Sequence, residues 1–451
     1  MTSFIAKPHE LFDRFDPKYV AFKRRAASFR HPAVTMGSLL SEPPEYGAGE
    51  AGVERENDAM PRYIRITDID ENGELLPGLG MTAAKVEPQY LLRDGDLLFA
   101  RSGNTVGKCY LHDSERVDYP CFYAGYMIRF RFDEKVLPKY VFAFAQTPYY
   151  REWVSAIQRS AGQPNINARE YRSLELPLPP LPEQRKIVAE LDAAYAAKRA
   201  ADAKAAKLLA SIDDMVLREL GIAKLPKPDT SLSSRMFTVP ASKVANATFA
   251  PDHYFDMIDF SGSKYPCERF VERIDIDPPC GNVKITKLVP MEGVSAEWCA
   301  IEDVEDIAAD ATQGYSTFRG GDVIWARITP CMENGKSAVV EAEPSERFCG
   351  STEFLVFRPK DDTVNPYYLQ NLLHLNRFRE VAAHHFTGTS GHQRVTADFF
   401  KSISIPMPPR SVQDRIASKA SSIRAEARKL KADATAALDA AKREIEARIV
   451  K

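Results

Sequence analysis

Two stretches of this chain, LELPLPPLPEQRKIVAELDAA (174–194) and ISIPMPPRSVQDRIASKASSI (403–423), are versions of one another, offset by 229 residues from Pro180 to Pro409. Each is a proline ladder that runs straight into a long segment free of glycine and proline. A repeat of this kind constrains the fold more than any single motif. The repeat also extends well beyond the ladders. RFDPKYV (14–20) is echoed by TFAPDHYF (248–255), and YIRITDI (63–69) by WCAIEDV (298–304). LLRDGDLLFARSGNTVGK (91–108) matches STFRGGDVIWARITPCMENGK (316–336), and MIRFRFDEKVLPKYV (127–141) matches FLVFRPKDDTVNPYYL (354–369). SAGQPNINAREYRSLELPLPP (160–180) then aligns without gaps on TSGHQRVTADFFKSISIPMPP (389–409).

The ordered matches predict a duplicated chain: a globular domain over 1–180, a helix over 181–225, a second domain over 226–408 and a second helix over 409–451. Within the domains, short alternating runs such as YIRITDI, DLLFAR and YMIRFRF read as strands. Segments behind Pro138 and Pro366 carry a helical period, with proline where a helix tolerates it. The fold class is therefore α/β, with two similar mixed α/β domains joined by two long helices.

Those helices carry a seam. Positions 187, 191, 194, 198, 201, 205, 208, 212 and 215 read Ile, Leu, Ala, Lys, Ala, Ala, Leu, Ile, Met, in alternating steps of four and three. In the second copy the seam runs through Ile416, Ala420, Ile423, Ala427, Leu430 and Ala434, then slips by one to Leu438, Ala441, Ile445 and Ile449. A mostly alanine stripe contributes little if packed alone on a domain, and it lets two helices approach closely. An antiparallel coiled coil with pseudo-twofold symmetry follows. Roughly 38 residues at 1.5 Å rise make a rod of about 57 Å, on the order of 17 base pairs if laid along DNA.

Composition narrows the function classes. At 44% hydrophobic and 27% charged residues, the chain has the balance of a water-soluble protein. No run is long and apolar enough to span a membrane, and MTSFIAKPHELFDRF lacks the apolar core of a signal peptide, so a cytoplasmic protein is expected. Seven scattered cysteines without a C-x-x-C read as reduced thiols, neither a disulfide framework nor a zinc site. His384-His385 has no third ligand at sensible spacing, so no metal is expected. The net charge of −2 weighs against a generally basic nucleic-acid binder, although 409–451 holds eleven Lys/Arg against six Asp/Glu.

The proline-to-Glu-Gln-Arg-x-Ile motif, its weaker copy, and the twofold order of RFDPKY, YIRITDI, GDLLFAR and GQPNIN resemble the specificity subunit of type I restriction–modification systems. The resemblance covers essentially the whole chain. It implies two target-recognition domains, each reading half of a bipartite double-stranded DNA target. It also implies spacer helices that dock methyltransferase subunits, expected to be two, and through them restriction subunits. No catalysis and no cofactor are implied for the chain itself. The motif residues Glu183, Gln184 and Arg185, with Gln413 and Arg415 in the second copy, are the implied docking positions. Glu183-Gln184-Arg185 becomes Val412-Gln413-Asp414, so the two docking contacts are expected to differ.

The matched loops are the candidate DNA contacts. Arg101, Ser102 and Asn104 follow the first Ala-Arg strand, and Arg327 and Thr329 the second. An arginine can bridge guanine O6 and N7, and an asparagine adenine N6 and N7. Two heads should read different bases, so Arg101 and Arg327, identical in both copies, are expected to hold a loop or a phosphate. Lys108 and Lys336 fit either phosphate contacts or solvated surface charges. The loops before the ladders differ between copies, Gln163 and Asn165 against Thr389, His392, Gln393 and Arg394, which favours base readout there. Trp153, Trp298 and Trp325 are expected in the core. Two alternatives stand: a methyltransferase or nuclease with degenerate motifs, and a coiled-coil scaffold for proteins. Against the first, Asp277-Pro278-Pro279-Cys280 lacks the aromatic of the amino-methyltransferase element, and no phosphate-cradling glycine loop is present.

Overall fold

The structure is a computed structural model that describes residues 17–25, 29–103, 105–158, 164–227, 229, 231, 233, 236, 238–239, 256–281, 285–308, 313–389 and 391–450. The chain forms two compact units, Met1–Ala200 with Asp433–Lys451, and Ala201–Ala432. Both long helices span 40 residues, Leu181–Leu220 and Arg410–Ile449. Each unit therefore takes part of both, where the sequence division assigned the helices to segments of their own.

In the first unit, an antiparallel sheet orders the strands Glu45–Tyr46, Met127–Phe130, Leu97–Ala100 and Cys109–Leu111. A second sheet pairs Arg62–Ile64 in parallel with Cys121–Tyr123, flanked by Met81–Ala83 and Gly52–Glu54. In the second unit the same two sheets recur. One orders Ile274–Ile276, Phe354–Pro359, Val323–Ala326 and Ser337–Val339. The other holds the parallel pair Lys287–Val289 and Arg347–Gly350. Here Ser316–Arg319 is a full edge strand, whereas the first copy reduces it to a single bridge between Leu91 and Phe122.

The repeated Gly-Asp explains why both central strands start where they do. Gly95 and Gly321 have φ of 81° and 86°, a region that favours glycine. The following Asp96 and Asp322 are buried, and each accepts from the backbone N–H three residues earlier at 2.9 Å. Arg131 and Arg358 then grip these carboxylates through two nitrogens each, at 2.6–2.9 Å. A fork-to-fork pair satisfies a buried carboxylate that would otherwise be costly. Each pair raises the pKa of its arginine. The core is duplicated as well. Phe99, Phe130 and Tyr171 meet at ring centroids of 4.9–5.9 Å, and Trp325, Phe357 and Phe400 at 4.6–6.4 Å.

The ladders join domain to helix identically in the two units. Glu175–Pro177 pairs with Ala33–Thr35, and Ser404–Pro406 with Cys267–Arg269. The Tyr140 and Tyr368 hydroxyls donate to the Pro177 and Pro406 carbonyls, both at 2.7 Å. One turn into the helix, Gln184 is 0% exposed: its Oε1 accepts from Leu137 N–H at 2.8 Å, and its Nε2 donates to the Pro179 and Lys135 carbonyls at 2.9 and 3.2 Å. Gln413, 1% exposed, does the same with Asn365 N–H and the Thr363 and Pro408 carbonyls at 2.8–2.9 Å. This corrects the docking expectation for Gln184 and Gln413, whose amides are consumed inside the domain and cannot face a partner.

The seam positions are all buried or half-buried, with Ile187, Ala205, Ile416, Ala427 and Ile449 fully so. Pairing is antiparallel within each unit. Arg448 reaches Glu190 in the first at 2.9 Å, while Arg415 and Lys419 both reach Glu219 in the second at 3.0 and 2.6 Å. Arg415 is thus engaged by its neighbouring helix. Glu183 is half-buried and Arg185 exposed.

Trp153 and Trp325 are core, but Trp298 is not. Its ring lies under the Arg428 and Lys431 cations, each at 5.6 Å, and Glu302 and Glu297 pair with those same cations. Trp298 fastens a loop onto the second helix, a role that hydrophobicity alone does not announce. His385 is buried against the Phe399 ring, while His384 bonds the buried Asp256 carboxylate at 2.8 Å, which Arg377 also grips.

Beneath the Trp298 loop, His374 Nδ1 lies 3.2 Å from the Gly335 carbonyl and 3.5 Å from Cys299 Sγ. Burial, then the Arg379 and Arg424 cations, hold its imidazole down to a pKa of about 3. The unfolded chain binds this proton near pH 6.5, so the stability present above that pH is lost as pH falls toward 3. Between pH 7 and 5 the second unit is expected to lose about 2 kcal/mol from this residue. Urea midpoints at the two pH values measure it, and His374→Gln should flatten the difference; identical pH slopes in both proteins would refute the assignment.

Candidate nucleic-acid interface

The loops singled out in the sequence are neighbours in space. In the first unit, Ser102 bridges Asn165. Gly103 N–H donates to the Pro164 carbonyl at 3.1 Å, and Ile166 N–H to the Arg101 carbonyl at 2.8 Å. In the second unit, Ile328 bridges Arg394, Thr329 N–H donates to the Gln393 carbonyl at 3.0 Å, and Val395 N–H to the Arg327 carbonyl at 2.9 Å. The loop after the central strand and the loop before the ladder thus form one main-chain-tied surface per unit. A third segment joins them. Arg101 N–H donates to the Tyr126 carbonyl and Arg327 N–H to the Glu353 carbonyl, both at 2.9 Å.

The side chains divide into common and divergent. Arg101 lies over the Tyr46 ring at 4.8 Å, while the charge of Arg327 favours the ionised form of Asp277. Burial still leaves the Asp277 carboxyl above the ordinary range. Among the described residues no carboxylate hydrogen-bonds either guanidinium, and both Nε atoms are buried without a partner. Lys108 donates to the Ile69 carbonyl at 3.0 Å and pairs with Glu71 at 2.9 Å; Lys336 donates to the Met291 carbonyl at 2.7 Å. These two ammonium groups, following glycines at φ 88° and 85°, tie the loop to the domain.

Ser102, Asn165, Thr329 and Gln393 are half-exposed, and Thr389 and His392 exposed. Thr329 Oγ1 donates to Glu333 at 3.0 Å. Asn104 and Gln163 lie outside the described residues. Sequence reasoning missed Tyr126, 65% exposed, and Glu353, which grips Arg394 through both oxygens at 2.6–3.0 Å. A signal was present, because each residue directly precedes the matched MIRF and FLVF runs.

Residues 62–206 and 281–437 each match the family model of the type I restriction modification DNA specificity domain. The chain belongs to this family. The two matched stretches contain the two loop surfaces. Among relatives, the type I restriction enzyme EcoAI specificity subunit of Escherichia coli is 37% identical over 107 residues, 24% of this chain and 18% of the relative. The EcoEI specificity subunit of the same species is 32% identical over 129 residues, 28% of this chain and 22% of the relative. The chain thus spans about a fifth of the length of these curated relatives. The HsdS subunit from Thermoanaerobacter tengcongensis, a solved structure, aligns over 92% of this chain and 95% of its own at 18% identity, with a TM-score of 0.34. Among the described residues no helix is long and apolar enough to cross a membrane, and among those same residues no group of three or more His, Cys, Asp or Glu could hold a metal ion. All seven cysteines are free.

Proposed function

We propose that this chain is the non-catalytic DNA-specificity subunit of a type I restriction–modification complex. Each domain reads one half of a bipartite duplex target, the paired helices set the spacing, and methyltransferase subunits dock on the chain and recruit restriction subunits. The observation that carries this is the double match to a DNA specificity domain, with an equivalent polar loop surface inside each matched stretch. Arg101 and Arg327 suit a common task such as phosphate positioning, because they are identical where the two readers must differ. The near-neutral charge of −2 is compatible with partners that supply part of the phosphate contact.

The test is binding of randomised duplexes by the full chain, with and without a type I methyltransferase subunit. The expected result is enrichment of two short motifs at a fixed gap, with affinity falling as salt rises. Salt-sensitive binding with no motif would refute the specificity role and favour a nonspecific scaffold.

A further inference from the structure

The two loop surfaces share a backbone and differ at two facing positions. One is the residue whose carbonyl accepts from the common arginine: Tyr126 in the first unit, Glu353 in the second. The other bridges the loop after the central strand: Asn165 in the first, Arg394 in the second. The correspondence holds in sequence as well as in space, since the gapless 160–180 to 389–409 alignment sets Asn165 on Arg394, and MIRF on FLVF sets Tyr126 beside Glu353. In the second unit the pair is a built device. Glu353 takes the Arg394 Nε and Nη2 with both oxygens, and Arg394 Nη1 donates to the His392 carbonyl at 2.7 Å. The guanidinium is held in one orientation while its side chain stays 34% exposed. The first unit offers different chemistry at the same place, an amide and an open aromatic ring.

Resting on the specificity reading above, we propose that these position pairs are where the two half-sites are told apart. Arg394, buttressed by Glu353, selects a G·C pair by donating to guanine O6 and N7. Asn165 with Tyr126 selects A·T, the amide meeting adenine N6 and N7 and the ring meeting a thymine methyl. Pre-orientation by Glu353 lowers the entropy lost when the arginine meets the base.

The experiment is site selection on randomised half-sites by the full chain assembled with a methyltransferase subunit, for the wild type, Arg394→Gln, Glu353→Gln and Asn165→Ala. In Arg394→Gln, discrimination for G·C at one position of one half-site should fall roughly 5- to 150-fold and move toward A·T, with the other half-site unchanged. Glu353→Gln should keep the same preferred base but weaken its selection. Asn165→Ala should relax one A·T position in the opposite half-site only. The untouched half-site reports that each variant is folded and assembled. A wild type that reads a bipartite target, with Arg394→Gln leaving both half-sites as they were, overturns this inference alone. A loss shared equally by both half-sites in every variant also overturns it. A wild type without any bipartite preference overturns the specificity reading, and the inference falls with it.

Discussion

Replacing Gln184 by leucine is expected to destabilise the first unit by on the order of 3–6 kcal/mol, and Gln413→Leu the second by a similar amount. Leucine fills nearly the same volume, so packing is not the cause. Three main-chain groups lose their partner at once: Leu137 N–H and the Lys135 and Pro179 carbonyls in one unit, Asn365 N–H and the Thr363 and Pro408 carbonyls in the other. An orphaned buried group costs roughly 1–3 kcal/mol, and the carbonyls of the exposed Lys135 and Thr363, which water can reach, add less. Glutamate is no substitute, because it accepts from the N–H but cannot donate to the two carbonyls. Denaturant unfolding with hydrogen exchange on each unit measures the loss. Arg185→Ala, at an exposed position, should stay within about 0.5 kcal/mol. A loss below about 1 kcal/mol for either glutamine would show that the joint is held by the prolines and tyrosines alone.

Deleting Lys198–Lys204 together with an equal stretch of the second long helix should shorten the preferred gap between half-sites by about three base pairs. Seven residues at 1.5 Å rise remove about 10 Å, and duplex DNA rises about 3.4 Å per step. A seam that alternates steps of four and three returns to phase after seven residues, so the remaining Ile, Leu and Ala positions keep their face. The deletion also takes out the polar interruption at Lys198 and the exposed Arg199–Glu74 pair, which contributes little. Two linked weak readers owe much of their affinity to a matched span, so binding to the original gap should fall by about 100-fold or more. Site selection on duplexes of varied gap measures both effects. An unchanged preferred gap would mean that the helices do not set it.

How far the sequence reached depended on the length scale of each interaction. Periodicity is a local signal, and the seam from Ile187 to Met215 and from Ile416 to Ile449 was legible because helical geometry repeats it every turn. The duplication was legible because order survives divergence. Gln184 and Gln413 were misread because a glutamine beside charged residues looks solvated. Their burial depends on Leu137 and Asn365, 47 and 48 residues away. Trp298 was misplaced for a similar reason, since its cations come from a helix 130 residues downstream. The candidate DNA residues were found as two separate loops per copy. Only the fold shows that Ser102 meets Asn165, and that Glu353 holds Arg394.

Because the loops that face each other are fastened through main-chain N–H and C=O groups, their outward side chains carry little of the folding energy. Substitution at Asn165 or Arg394 leaves those main-chain bonds intact, and the half-exposed Glu353–Arg394 pair that goes with Arg394 is worth on the order of 1 kcal/mol or less. Drift in what these loops display is thereby uncoupled from the survival of the fold. A lineage can revise one surface while the other, encoded more than two hundred residues away, keeps its own.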